Sequence, residues 1–231
     1  MSRVNNILNE FDLDDQVEDS IRRDGGLGAF ITIDVERLAE AWRTEGNAPE
    51  ILPYQQELVE RVQTVLEDQT AKVEDSLEAS GNEKRQDLNF TLVLYQMDIE
   101  RVRYSLARYL RIRILKIEKS LYAIFSDLNL RGRLSRKELK FAETLYAMNN
   151  TYFEEQIKKK LTDEAQMRYT TDDLINNSMP DLNKYVYFQP KEDMVLIGTE
   201  GPRNVPAGSV SLAQYDGQIR EKVLEDKVML I

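Results

Sequence analysis

The spacing of apolar residues is most regular between Asp98 and Leu128, where it predicts one long helix without Pro or Gly. At 100° per residue, one stripe roughly 80° wide contains Ile99, Leu106, Leu110, Ile114, Ile117, Leu121, Ile124 and Leu128. Further apolar and aromatic residues lie outside this stripe: Val102, Tyr104, Tyr109, Leu115 and Tyr122. A helix that is apolar on several sides packs on several sides, so this helix is expected to contact more than its own domain.

Helical spacing also predicts three flanking helices, over Asp34–Gly46, Tyr54–Leu77 and Leu134–Leu161. Asp34 is expected to cap the first of them, because its carboxylate can accept from an unpaired backbone N–H. Ser135 followed by Glu138 is a capping box, which marks the start of the third. The central helix itself is expected to begin near Leu88, and a short helix or connection is expected over 170–179.

The pattern changes to short β-rich runs after Met179 and Pro180. Strands are predicted over Tyr185–Phe188, Met194–Ile197, Val210–Leu212 and Val228–Ile231, with an amphipathic helix over Asp216–Glu225. The segment Gly198–Asn204 has glycines like a phosphate-binding loop but lacks its Lys-Ser/Thr ending, so a hairpin turn is predicted. A unit of about fifty residues is marginally stable alone and is expected to lean on the helices or on another subunit.

Composition divides the chain into four parts. Residues 1–30 are acidic and then glycine-rich, which predicts a flexible arm. A helical domain is expected over residues 31–170, a linker over 171–183 and a small β-rich domain over 184–231. The predicted fold is therefore mainly α, with an N-terminal helical bundle, a long central helix and a small β-rich C-terminal domain.

The arm contains a short apolar motif. Asn6 can cap a single helical turn that places Ile7, Leu8 and Phe11 on one side. One such turn is unstable alone in water, so two interpretations are open. It is either a linear motif that folds into a partner's groove or a helix packed on the protein's own body.

The composition narrows the chemistry. The formal net charge is −10, and the chain contains neither Cys nor His. Disulfides, thiolate metal sites and histidine general bases are excluded, and no enzyme activity, cofactor or metal is expected. With no signal peptide and no long apolar run, we expect a nuclear or cytoplasmic protein without membrane contact.

The central helix is basic in this acidic chain. Its cations are Arg101, Arg103, Arg108, Arg111, Arg113, Lys116 and Lys119. They could follow a DNA backbone, which gives a direct DNA-binding module as the alternative function. Because they point in many directions and acidic helices lie nearby in sequence, ion pairs within the bundle or across a subunit interface are favoured. Any DNA contact is then expected to be indirect or weak.

Five segments, taken in order, resemble the Sld-five subunit of the GINS complex. They are Ala41–Val62 (with the APEILPY loop), Ile99–Lys119 (with YLRIRILKIE), Leu134–Leu145, Met179–Phe188 and Ile219–Ile231. The resemblance covers nearly the whole chain after Ile33 and favours a fungal member. Two positions depart from the family pattern: Gln214 stands where a basic residue is frequent, and Asp226 where Gly is frequent.

The resemblance implies a non-catalytic structural subunit in a heterotetramer with three Psf-type subunits. In the nucleus, that tetramer joins the minichromosome maintenance hexamer and the Cdc-forty-five protein in the replicative helicase, and it serves initiation and fork progression in DNA replication. We expect the subunit interface to use residues of the central helix and the C-terminus: Arg101, Tyr104, Arg108, Tyr109, Arg111, Arg113, Lys116, Tyr122, Leu230 and Ile231.

The resemblance also favours the linear-motif interpretation of the arm. In fungal members a peptide similar to DDILAELD docks onto the trimeric Ctf-four hub, and NNILNEFD at residues 5–12 is similar to it. The residues expected to bind the hub are Asn6, Ile7, Leu8, Phe11 and Asp12. Asn5 and Asn6 replace the leading acidic residues of that peptide.

Overall fold

The computed structural model describes residues 25–79, 85–161, 171–198 and 201–231 of the 231-residue chain. The helices of these ranges are α1 (Gly25–Asn47), α2 (Gln56–Ala79), α3 (Arg85–Lys119), α4 (Leu121–Ser126), α5 (Leu128–Gly132), α6 (Arg136–Tyr152), α7 (Thr171–Ser178) and α8 (Gly217–Leu224). A π-helical turn (Phe153–Ile157) and a 3-10 turn (Lys158–Lys160) follow α6. The predicted mainly α fold with a small β-rich C-terminal part is confirmed.

The first helix begins earlier than predicted, at Gly25 rather than after Asp34. Asp34 is therefore not an N-cap. Its carboxylate instead accepts hydrogen bonds from Nε and Nη2 of Arg61 on α2, at 2.9 and 3.1 Å. A glycine costs roughly 1 kcal/mol in a helix interior, so the glycines after position 24 disfavour helical backbone without preventing it.

The predicted continuous helix to Leu128 is also wrong, because α3 ends at Lys119. Ser120 departs from helical geometry with φ −107° and ψ 26°, and its hydroxyl donates to the carbonyl of Lys116 at 2.6 Å. The backbone N–H of Ser120 still donates to the same Lys116 carbonyl at 2.9 Å, and a serine side chain that shares a carbonyl in this way often bends a helix. The chain continues as two short helices, the second capped by Asp127, which accepts from the N–H of Asn129.

The capping box of the next helix is confirmed. The Ser135 hydroxyl accepts from the N–H of Glu138 at 3.3 Å, and Glu138 Oε2 accepts from the N–H of Ser135 at 2.8 Å. This reciprocal pair satisfies two backbone donors that the first turn of α6 would otherwise leave unpaired. It also turns the Glu138 side chain back toward the body of the bundle.

The helical domain encloses two apolar clusters. The first lies among α1, α2 and α3 and comprises Leu38, Leu58, Val59, Val62, Leu106 and Tyr109. The second lies under α3, α4, α5 and α6 and comprises Ile51, Ile117, Leu121, Ile124, Leu130 and Ala142. Full burial of a large aliphatic side chain contributes about 1.5–3 kcal/mol, so these clusters account for most of the cohesion of the bundle.

The C-terminal domain contains two antiparallel sheets. The strands are β1 (Tyr185–Pro190), β2 (Met194–Gly198), β3 (Gly201–Val205), β4 (Ser211–Gln214) and β5 (Val228–Leu230). One sheet has the order β4-β1-β5, and β2 pairs with β3. The four predicted strands are confirmed, but β3 was missed because its residues fall in the predicted turn. The predicted helix is α8, which Asp216 caps by accepting from the N–H groups of Gln218 and Ile219.

A third apolar cluster joins the two domains. From the C-terminal domain it contains Val186, Phe188, Val205, Tyr215, Ile219, Val223, Val228 and Leu230. Ala48 and Leu52, which lie between α1 and α2, are buried in the same cluster. The C-terminal domain thus leans on the helical domain, one of the two arrangements expected of so small a unit.

Candidate assembly site

One side of α3 is exposed along most of its length. Val93, Met97, Tyr104, Arg108, Arg111 and Leu115 share this side, at spacings of three, four and seven residues; we call it the outward face. Tyr104 is 65% exposed, and Met97 and Leu115 are each 56% exposed. Exposed aromatic and aliphatic side chains mixed with arginine are typical of protein–protein interfaces.

The N-terminal half of α3 is exposed on more than this one side. Leu94 is 46% exposed and Tyr95 is 39% exposed, although neither lies on the outward face. On the outward face itself, a shallow depression is lined by Val93, Gln96, Met97, Glu100 and Arg101. Water around a helix that is apolar on several sides is unfavourable, so this end of α3 is suited to being covered by another chain.

The opposite side of α3 is buried in its own domain. Tyr109 is 1% exposed, and its hydroxyl accepts from the N–H of Gln55 at 3.3 Å. Burial raises the pKa of Tyr109 to about 12, against the lowering effect of the nearby Arg113 charge. The phenol therefore stays neutral at physiological pH and acts as a packing group.

Arg113 lies at the centre of this buried side with no exposed surface. Its Nε and Nη2 bind the two Glu138 oxygens at 2.7 and 3.2 Å. Its Nη1 binds Glu45 Oε2 at 3.1 Å and the Leu52 carbonyl at 2.7 Å, and Nη2 also donates to the Arg133 carbonyl at 3.0 Å. All five guanidinium N–H donors are used.

The charge on Arg113 persists despite this burial. Desolvation opposes it, but the hydrogen bonds to Glu138 and the charge of Glu45 outweigh desolvation and raise the pKa of Arg113 further. The guanidinium also lies 5.3 Å from the Tyr54 ring centroid and 5.8 Å from that of Tyr109. Because the buried guanidinium has this many hydrogen-bond and ion-pair partners, the Arg113 side chain is held in one position.

Lys116 extends the same network by one turn. Its ammonium donates to Glu45 Oε1 at 2.9 Å, to the Glu50 carbonyl at 2.8 Å and to the Glu45 carbonyl. Burial lowers the pKa of Lys116, and the adjacent Glu45 charge partly offsets that effect. Arg113 and Lys116 thus fix the end of α1 and the following loop onto α3.

Glu50 is one of the residues at which the helical and C-terminal domains meet. The residue is 2% exposed, and its Oε2 accepts from Arg133 Nη1 at 2.8 Å. From the C-terminal domain, Arg220 donates through Nε at 2.6 Å and Nη2 at 2.7 Å, and the Tyr215 hydroxyl donates at 3.1 Å. Burial opposes the Glu50 charge, but Arg220 and Arg133 outweigh it and hold the pKa of Glu50 below its ordinary value.

The structure divides the predicted interface residues. Those on the surface are Arg101, Tyr104, Arg108, Arg111 and Ile231. Tyr109, Arg113 and Leu230 are at most 1% exposed, and the Lys116 side chain is 15% exposed. These four residues have their contacts inside the chain, which corrects the expectation that they face another subunit.

Tyr122 occupies an intermediate position. It is half-buried, and its ring meets that of Tyr146 edge-on at 5.5 Å. Phe125 stacks on Tyr146 with ring centroids 4.4 Å apart, and the Arg131 guanidinium lies 4.7 Å from the Phe125 ring. Tyr122 is therefore part of an aromatic cluster within its own chain, at the end of the bundle.

The predicted hub-binding residues Asn6, Ile7, Leu8, Phe11 and Asp12 lie outside the described residues. Within the described ranges, no group of three or more His, Cys, Asp or Glu side chains is placed to hold a metal ion. No helix in those ranges is long and apolar enough to cross a membrane.

Sequence reasoning missed the three carboxylates at the centre of the network, which are Glu45, Glu50 and Glu138. Glu138 was recognised as a capping residue, but its second role in binding Arg113 has no local signal. Glu45 lies near the end of α1, and Glu50 lies in the following loop between Pro49 and Pro53. The prolines restrict the backbone of this loop but do not indicate which side chains turn inward.

The sequence was compared with those of known proteins. The family described as Sld5, GINS complex protein helical bundle domain, matches residues 58–157, a range that includes most of α2, all of α3 and the capping box of α6. This part of the chain carries the outward face and both basic partners of Glu45.

Individual relatives carry one name, DNA replication complex GINS protein SLD5. The protein of Arabidopsis thaliana is 38% identical over 135 residues, which is 58% of this chain and 59% of that relative. The human protein is 34% identical over 163 residues, or 68% of each chain. That of the fungus Chaetomium globosum is 32% identical over 164 residues, 69% of this chain and 72% of the relative. On its bundle and on this similarity, the chain belongs to the SLD5 family of GINS proteins, which take part in DNA replication.

Proposed function

We propose that this chain is a non-catalytic structural subunit of a heterotetrameric GINS complex in the nucleus, with three Psf-type subunits as its direct partners. Through that tetramer it joins the minichromosome maintenance hexamer and the Cdc-forty-five protein in the replicative helicase. Membership of the SLD5 family supports the proposal that the chain is part of a GINS complex. The observation that carries the assembly role is the exposed outward face of α3.

The outward face supports this role by its composition and its separation from the core. Tyr104 and Leu115 are more than half exposed, while Leu106 and Ile117 on the other side hold the bundle together. Covering the outward face with another helix removes apolar surface from water without disturbing the core. Arg108 and Arg111, which lie between Tyr104 and Leu115 on this face, can pair with acidic side chains of a partner.

Direct DNA binding is the weaker alternative. Two of the eight basic residues of α3, Arg113 and Lys116, are bound inside the chain. Arg101 and Arg103 form ion pairs with Asp98 and Glu100 on the same helix. Because the whole chain carries a net charge of −10, the remaining cations form a small basic surface in an acidic molecule.

We further propose that the N-terminal motif tethers the complex to the trimeric Ctf-four hub. The support for this is the similarity of residues 5–12 to the hub-binding peptide of fungal members. In this arrangement Ile7, Leu8 and Phe11 enter an apolar groove of the hub, and the bundle is left free to bind the sister subunits.

The decisive experiment is co-expression of the full chain with the three Psf-type subunits, read by co-purification and by the mass of the complex. The test variant carries Tyr104→Glu and Leu115→Glu on the outward face. We expect it to lose the complex, because two charges replace apolar contact surface, while its circular dichroism spectrum stays that of the wild-type chain.

Met148→Glu is the matched control, since Met148 is a 60% exposed apolar residue on α6. Retention of the complex by the double variant would reject the outward face as the assembly site. Equal loss from the control would mean that any exposed charge substitution acts non-specifically. A wild-type chain that remains monomeric beside the Psf-type subunits would reject the proposed function itself.

A further inference from the structure

The loop of residues 48–55, between α1 and α2, belongs to the cores of both domains. Ile51 is buried in the bundle cluster with Ile117 and Ile124. Its neighbours Ala48 and Leu52 are buried in the cluster of the C-terminal domain. Among the described residues of the helical domain, these two are the buried side chains that enter the C-terminal core, and β5 also lies against α1.

Polar contacts add to this junction. Glu50 receives three hydrogen bonds from the C-terminal residues Arg220 and Tyr215. A second bridge lies nearer the surface, where the Lys191 ammonium is 3.0 Å from Glu40 Oε2 on α1. Unlike apolar contacts, a two-oxygen ion pair restricts angle as well as distance.

The helical domain holds the Glu50 carboxylate in place before the C-terminal domain is considered. Arg133 binds its Oε2, and Lys116 binds the Glu50 carbonyl. Arg133 also donates to the carbonyl of Ile51 at 2.8 Å, so side chain and backbone are both fixed. These bonds hold the Glu50 carboxylate in place, and its oxygens accept the further hydrogen bonds from Arg220 and Tyr215.

We infer that Glu50 is a positioning residue that holds the C-terminal domain at one fixed orientation on the helical domain, through Arg220 and Tyr215. Arg220 is the detachable half of this contact, because its side chain is 37% exposed whereas Glu50 is enclosed. When Arg220 and the Tyr215 hydroxyl are removed, the C-terminal domain keeps its own sheet and core but no longer has one orientation. This inference concerns the single chain and does not depend on the proposed partners.

Since the chain has no cysteine, two spin labels can be attached cleanly to the full-length protein. Glu143→Cys on α6 and Asn204→Cys on β3 are suitable sites, because both side chains are exposed. Pulsed electron–electron double resonance then measures the distance between the two labels, one in each domain. We expect one narrow distance peak, and we expect Tyr215→Phe combined with Arg220→Ala to replace it with a broad distribution.

Lys222→Ala is the matched control, since Lys222 is a cation on the same helix whose partner is Glu225 on the surface; it should keep the narrow peak. Amide exchange of β1 shows whether the C-terminal domain remains folded in each variant. If the double variant loses that protection, Arg220→Ala alone decides the question. A narrow peak in the folded Arg220 variant, or a broad distribution in the wild-type chain, would overturn the inference.

Discussion

Arg113 and Glu138, from α3 and α6, form a two-point ion pair without exposure of the guanidinium: Nε meets Oε1 at 2.7 Å and Nη2 meets Oε2 at 3.2 Å. The same Glu138 carboxylate caps its own helix by accepting from the N–H of Ser135. One side chain therefore determines where α6 starts and how α6 sits on α3. Removing either partner leaves a buried charge with too few contacts.

The first prediction concerns the stability of the bundle. Arg113→Ala should lower the free energy of unfolding by about 3–5 kcal/mol, because Glu138 and Glu45 lose their shared cation inside the protein. Arg108→Ala, on the exposed side of the same helix, should change it by no more than about 0.5 kcal/mol. Urea denaturation followed by circular dichroism measures both. Equal effects of the two substitutions would contradict the buried network.

The second prediction concerns the loss of stability at acidic pH. The pKa of Glu50 is lower in the folded chain than its ordinary value of 4.5, so its charge stabilises the fold at pH values above 4.5. That contribution is lost as the pH falls through the lowered pKa of the folded state. Glu50→Gln lacks it at every pH. The stability difference between wild type and variant should therefore be full at neutral pH and shrink in acid.

Urea midpoints measured from about pH 7 down to about pH 3 test this dependence. Glu143→Gln on the exposed side of α6 is the matched substitution, and its difference from wild type should stay small throughout. A Glu50→Gln difference that does not change with pH would mean that the charge of Glu50 does not stabilise the fold.

The third prediction separates assembly from folding. Arg108→Glu with Arg111→Glu should abolish co-purification with the Psf-type subunits, because both reversed charges lie on the outward face. Unfolding of the isolated chain should shift by no more than about 0.5 kcal/mol per substitution, since neither side chain is buried. Lys140→Glu, an exposed reversal on α6, serves as the comparison. Intact assembly in the double variant would mean that these arginines are not interface residues.

The fourth prediction concerns the N-terminal motif. A peptide of residues 1–24 should bind the Ctf-four hub, and Ile7→Ala with Leu8→Ala should remove most of that affinity, because the apolar pair supplies the buried surface. Fluorescence anisotropy of the labelled peptide measures the binding. Asn5→Asp with Asn6→Asp restores the acidic residues of the similar fungal peptide and should tighten it. Unchanged binding of the alanine peptide would reject the tether.

Regular periodicity predicted most of the secondary structure. Four of the five strands and α8 follow alternating or helical spacing within a few residues, and the Ser135–Glu138 box located the start of α6. The errors lie where a local signal was outweighed. The glycines before Phe30 do not stop α1, whereas Ser120, which carries no sequence signal for a break, departs from helical geometry between α3 and α4.

The sequence did not reveal which basic side chains of α3 are exposed and which are buried. Arg111 and Arg113 are two residues apart, yet one is exposed and the other has no exposed surface. Periodicity alone would place Arg113 among the apolar residues of the buried side, but a buried arginine requires acceptors from elsewhere in the chain. Those acceptors come from Glu45 and Glu138, 68 and 25 residues away, and no local pattern connects them.

The family resemblance leads us to expect glycine at position 226, where this chain has Asp, and the backbone there is of a kind that suits glycine. Asp226 adopts φ 57°, the left-handed region that glycine enters freely and aspartate more readily than most residues. Its carboxylate also binds Lys191 at 3.0 Å, the lysine that reaches Glu40 on α1. Positions 226 and 191 are therefore expected to covary among relatives, with lysine at 191 accompanying aspartate at 226 more often than glycine.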